Sequence, residues 1–122
     1  MPLSFTIEPM TLDDLEAVAK IEQDSFDQPW SLQSFRTELV RNEVAHYLVA
    51  RVGGKVVGYG GIWVILDEAH LTTIAVAEPY RRFGIGTALL KALMDKSLSL
   101  GARRISLEVR PSNHAARKLY EK

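Results

Sequence analysis

The sequence predicts one mixed α/β (α+β) domain, residues 1–122, in which a mostly antiparallel sheet carries helices on both faces. Three observations predict it. Two amphipathic stretches with helical spacing fill residues 11–40. A run of β-rich segments broken by short turns fills residues 46–77, and helix and strand signals alternate again after Gly84. With 122 residues, 47% of them hydrophobic and 25% charged, the chain has room for one core.

Each element has its own signal. Phe5 to Glu8 reads as a short strand that Pro9 helps to end. Thr11 caps a helix with Asp13 and Asp14 in its first turn, and Leu12, Leu15, Val18, Ala19 and Ile21 with Glu22 form its amphipathic stretch. Asp27-Gln28-Pro29-Trp30-Ser31 breaks that helix. Ser31 caps the next, which runs to about Val40 with Leu32, Phe35 and Leu39 on one face. His46 to Val52 and Lys55 to Leu66 are strands joined at Gly53-Gly54, where positive φ is available. Asp67-Glu68-Ala69 turns into a third strand, His70 to Ala77, completing an antiparallel meander. A helix from about Gly84 carries Ile85, Leu89, Leu93 and Leu98 and stops at Gly101. Arg104 to Val109 is a further strand, and Pro111-Ser112 opens a last helix with Ala115, Ala116 and Leu119.

Composition narrows the function. Fifteen Lys and Arg balance fifteen Asp and Glu, which argues against a nucleic-acid or membrane-surface partner. The absence of cysteine removes disulfides, thiolate metal sites and cysteine nucleophiles. His46, His70 and His114 lack metal-ligand spacing, so no metal is expected. No apolar run approaches the roughly 20 residues of a spanning helix, and the first ten residues lack a basic segment followed by an apolar one. A cytoplasmic domain is the expectation.

The segment Glu78-Pro79-Tyr80-Arg81-Arg82-Phe83-Gly84-Ile85-Gly86-Thr87 lies between a strand and a helix. Its glycines let backbone approach a ligand, and a helix N-terminus presents unpaired N–H groups with positive potential. Such a loop suits a pyrophosphate; an ordinary strand-to-helix turn has the same composition. A Walker loop would require Gly-Lys-Ser/Thr, which is missing. A dinucleotide fingerprint would require a small residue where Leu89 stands, with Glu108 as the ribose acid. The preceding hairpins argue against that fold, which needs parallel strands joined by a crossover helix.

Arg81-x-x-Gly84-x-Gly86 resembles the Gln/Arg-x-x-Gly-x-Gly/Ala signature of the GNAT superfamily of N-acetyltransferases. Three further segments resemble the bacterial ribosomal-protein N-terminal alanine acetyltransferases in particular. They are Pro29-Trp30-Ser31, the stretch from Leu66 to Val76, and the stretch from Leu107 to Ala116 running on to Leu119-Tyr120-Glu121. The resemblance covers almost the whole chain and implies the GNAT fold with acetyl-CoA as cosubstrate. It implies that Ile74, Ala75 and Val76 pair with the pantetheine arm, and that amides around Arg81, Arg82, Gly84, Ile85, Gly86 and Thr87 hold the pyrophosphate. By the same resemblance Asn113 approaches the cofactor, Glu108 is the base for the acceptor amine, and Tyr120 stands near the sulfur.

Each residue also has a plainer reading. Glu108 can pair with Arg104 or Arg110, Tyr120 can be helix packing, and Asn113 can satisfy its own backbone. Trp30 can line an acceptor pocket or anchor two helices. Asp67 and Glu68 can attract a cationic peptide N-terminus or simply be hydrated turn residues. The expected acceptor is a protein N-terminus, the alanine of a small-subunit ribosomal protein. A lysine, polyamine or small-molecule amine is the enzymatic alternative, and a non-catalytic CoA-binding fragment is the alternative of another class. Members of the family continue beyond the match to Lys122 into a Gly-Phe segment and two more strands. A domain truncated at its C-terminus is therefore expected, with the edge of the Arg104–Val109 strand available for dimerisation.

Overall fold

The computed structural model describes residues 3–107. Its strands are β1 (Thr6–Pro9), β2 (Ala45–Val52), β3 (Lys55–Ile65), β4 (Glu68–Val76) and β5 (Arg104–Leu107), and its helices are α1 (Leu15–Ser25), α2 (Leu32–Arg41) and α3 (Ile85–Ser99). The sheet runs in sequence order. The pairings from β1 to β4 are antiparallel, and β4 pairs with β5 in parallel.

The departures from the expected boundaries have local causes. Thr11 opens a single 3-10 turn, Leu12–Asp14, before α1 begins. The Asp14 carboxylate draws the chain tight there: it accepts the Thr11 backbone N–H at 2.9 Å and hydroxyl at 3.1 Å. Arg51 of β2 approaches the same carboxylate at 2.9 Å, tying the helix entry to the sheet. The turn between β3 and β4 is Leu66-Asp67 alone, because Glu68 and Ala69 already pair with Ile65 and Val64. Leu66 takes a left-handed φ of 57° there and is 90% exposed. That conformation costs a leucine about 1–2 kcal/mol. The Asp67 carbonyl anchors the turn by accepting the N–H groups of Arg103 at 2.7 Å and Arg104 at 3.2 Å. The helix expected after Pro111 and the end of the strand to Val109 lie outside the described residues.

Period-two alternation in the meander, reset where the register shifts at Val57 and at Thr72, divides the core into two layers. Tyr47, Val49 and Tyr59 face α1 and α2, where Val18, Ile21 and Phe35 meet them. Ala50, Val57, Ile62, Leu71 and Ile74 face α3, where Ile85, Leu89 and Leu93 meet them. Leu89 and Leu93 are fully buried, which stabilises the fold by about 2 kcal/mol each. α3 lies close to the sheet because β3 is thin beneath it: a Cβ on Gly60 would stand 2.8 Å from Leu93 Cδ1. That close packing fixes where the N-terminus of α3 meets the end of β4.

Candidate active site

The backbone direction of β4 follows from one bond. Ala77 N–H donates to the Val57 carbonyl at 2.7 Å. Alternate residues of an antiparallel strand bond to the same neighbour. Ala75 therefore also turns its backbone groups toward β3, whereas Ile74 and Val76 direct theirs to the β5 side. The Val76 carbonyl accepts the Arg81 Nε at 2.8 Å. The signature arginine thus folds the loop back onto the end of the strand.

After a single 3-10 turn, Glu78–Tyr80, the chain passes through two left-handed residues, Arg82 at φ 71° and Gly84 at φ 84°. Left-handed residues turn the backbone sharply, and turns of this kind can gather successive N–H groups into an anion-binding concavity. The first intrahelical bond of α3 there is Ala88 N–H to Gly84 carbonyl, 3.0 Å. The N–H groups of Ile85, Gly86 and Thr87 precede it and have no acceptor within the helix. The Ile85 side chain is 1% exposed in the core, so this residue offers its amide while anchoring the helix start. Among the described residues nothing lies within 4 Å of where a Gly84 Cβ would stand. Arg82 is exposed beside it, and Lys55 Nζ lies 5.9 Å from the Tyr80 ring centroid. Amides without an intrahelical acceptor, helix polarity and nearby cations suit an anion with several oxygens, and a diphosphate fits these residues.

The structure thus brings together Ile74, Ala75, Val76, Arg81, Arg82, Gly84, Ile85, Gly86 and Thr87. Glu108, Asn113 and Tyr120 lie outside the described residues. Trp30 serves as an anchor: its ring packs 5.4 Å from that of Phe35, and its backbone N–H donates to Glu22 Oε2 at 2.9 Å. Glu68 stands 3.7 Å from both Arg104 and His70, exposed contacts worth at most about 1 kcal/mol. Among the described residues no helix is long and apolar enough to cross a membrane, and no cluster of His, Asp and Glu has metal-site geometry.

Two polar groupings escaped the sequence reading. Glu22, fully buried, accepts both the Trp30 N–H and the Tyr59 hydroxyl and so holds the segment between α1 and α2. Glu38 of α2 gathers Tyr47, Trp63 and Asn42. Their partners are brought together by strand register and helix placement across many residues, so a local pattern search had no signal to find.

The chain matches the profile of the acetyltransferase (GNAT) family over residues 15–122. It is 42% identical over its whole length to a Bacillus subtilis protein named as a provisional ribosomal protein bS18-alanine N-acetyltransferase, covering 81% of that protein. It is 40% identical over 95% of its length to the ribosomal protein bS18-alanine N-acetyltransferase of Escherichia coli K12, covering 77% of that enzyme. The crystal structure of the ribosomal-protein-S18-alanine N-acetyltransferase from Escherichia coli superposes with a TM-score of 0.83 at 38% identity, over 97% of this chain and 75% of that one. The loop that Arg81 closes and the profile that spans it agree, and the chain belongs to the GNAT family of acetyltransferases.

Proposed function

We propose that the protein transfers an acetyl group from acetyl-CoA to the N-terminal amine of a protein, namely the alanine of a small-subunit ribosomal protein such as bS18. The observation that carries this is the amide-lined loop at the end of β4, set in a chain 40% identical to a named bS18-alanine acetyltransferase. The amides of Ile85, Gly86 and Thr87, with Arg82 beside them, would hold the diphosphate. Backbone groups of Ile74 and Val76 would align the pantetheine arm. When bound, acetyl-CoA supplies the acetyl group as a thioester.

The acceptor chemistry is undemanding for an α-amine. With a pKa of about 7.7–8.0, it loses its proton at about pH 7.5 at a cost of under about 1 kcal/mol, whereas a lysine at about 10.4 costs roughly 4 kcal/mol. Glu108 takes the proton from the attacking amine in this reading, and Tyr120 donates a hydrogen bond to the departing sulfur. Asn113 contacts the cofactor. These three roles rest on the resemblance of their segments to the family.

Acetyl transfer to an alanine-starting bS18 peptide, measured beside an internal-lysine peptide with a blocked N-terminus, tests the proposal. Turnover on the first and not the second is expected. Preference for the lysine peptide or for a polyamine would overturn the acceptor assignment, and coenzyme A binding without transfer to any amine would overturn the enzymatic one.

A further inference from the structure

Register places Tyr47 of β2 opposite Gly61 of β3, and Gly61 opposite Thr73 of β4. The Tyr47 ring lies across β3 at that point. A Cβ on Gly61 would stand 2.3 Å from Tyr47 Cε2, so only glycine leaves the ring its path. The pairing of β3 with β4 shifts by one residue here: Gly61 faces Thr73 and Ile62 faces Leu71, leaving Thr72 as the extra residue of a bulge. Bulges redirect side chains. This one places the Thr72 hydroxyl 3.3 Å from the Tyr47 hydroxyl, on the sheet face that carries α1 and α2.

The direction of the hydrogen bonds follows from counting protons. Tyr47 has one O–H, and it donates to Glu38 Oε1 at 2.7 Å. Thr72 must then donate to Tyr47, which leaves the Thr72 oxygen as a fixed acceptor. Burial, chiefly, raises the Tyr47 pKa far above the ordinary phenol value, with the Glu38 carboxylate adding to the shift, so the proton stays on Tyr47. Glu38 also accepts Trp63 Nε1 at 2.7 Å and Asn42 Nδ2 at 2.7 Å. All three donors are neutral, and among the described residues no cation pairs with Glu38.

We propose that the Thr72 hydroxyl, oriented through Tyr47 by the Glu38 carboxylate, accepts a hydrogen bond from the acceptor amine and fixes its angle of attack. This rests on the acetyl-transfer reading given above. Thr72 stands two residues before Ile74, about 7 Å along the strand from the backbone assigned to the pantetheine arm. An attacking amine must aim its lone pair at the thioester carbon, so a fixed acceptor for its N–H selects the productive orientation. The charge at the far end of the chain favours a substrate that arrives as an ammonium. Thr72 would touch substrate; Tyr47 and Glu38 would act as positioning residues.

Steady-state kinetics on the full chain with the alanine-starting peptide test this. Thr72→Val keeps the β-branched shape and removes the hydroxyl. It should lower kcat/KM for the peptide about tenfold, leave KM for acetyl-CoA within about twofold, and be largely rescued by Thr72→Ser. Tyr47→Phe should weaken peptide use similarly, and Thr72→Val with Tyr47→Phe should be no worse than Thr72→Val alone. A Thr72→Val enzyme with wild-type peptide kinetics, or losses that multiply in the double variant, would overturn the proposal while leaving acetyl transfer intact. A wild-type protein inactive on every amine would overturn the transfer reading, and with it this role.

Discussion

Arg81 Nε donates to the carbonyl oxygen of Val76 across 2.8 Å, so the arginine of the signature closes the loop that begins at the strand end. The bond links the two parts of the proposed cofactor site, the β4 backbone and the amides before α3. Arg81→Ala should therefore weaken coenzyme A binding by about 10- to 100-fold, the range of one hydrogen bond to a charged group. Arg81→Lys should recover little, because an ammonium lacks the planar Nε geometry. Calorimetric titration of coenzyme A checks both, and wild-type affinity in a folded Arg81→Ala protein would show that the loop closes without this bond.

Gly84 separates conformational strain from steric exclusion. Its φ of 84° disfavours any residue with a Cβ, yet among the described residues no atom lies within 4 Å of where that Cβ would be. Gly84→Ala should cost about 1–2 kcal/mol of stability, and Gly84→Asn less, since asparagine tolerates the left-handed region better. Coenzyme A affinity should fall alongside stability. Equal melting temperatures for the alanine variant and the wild type would mean that the loop adopts another conformation at no cost.

His46 predicts a pH dependence of stability. Burial, with Lys96 as the second cause, lowers its pKa below the ordinary 6.5. As pH falls through about 6.5, the unfolded chain takes up the proton first, so it binds more protons than the native state. The contribution of neutral His46 is thus complete above that value and declines below it, levelling off under the folded pKa. His46→Gln should flatten the fall in melting temperature between about pH 7.5 and pH 5.5. An unchanged slope in the variant would place the acid sensitivity elsewhere.

Glu108 and Tyr120 should separate by pH profile if their proposed roles hold. Glu108→Gln should reduce turnover most at low pH, where the acceptor amine is mainly protonated, on the order of 100-fold. Tyr120→Phe should slow transfer by a similar order across the whole range, because its hydrogen bond to sulfur does not depend on the state of the amine. Rapid-mixing measurement of the transfer step checks this. Wild-type rates in both variants would remove them from the chemistry.

The sequence by itself determined the element order as far as β5, the antiparallel meander and the loop between β4 and α3. These are written in local terms: apolar spacing at two or at three to four residues, paired glycines at a hairpin, and a glycine at a helix start. It also identified the family, through the resemblance of Arg81-x-x-Gly84-x-Gly86 and the longer flanking segments; of these three motif residues Gly84 takes the left-handed φ. The tertiary structure decided what depends on register and packing. Only the paired strands show Arg81 spent on the Val76 carbonyl, and only the packed core makes Trp30 an anchor held by Glu22. The Glu38–Tyr47–Thr72 chain needs a helix, three strands, a one-residue register shift and the missing Cβ of Gly61 to meet at one place. No local pattern encodes that meeting, because each residue alone has an ordinary reading, and the long-range pairing that joins them is settled by burial of the whole core.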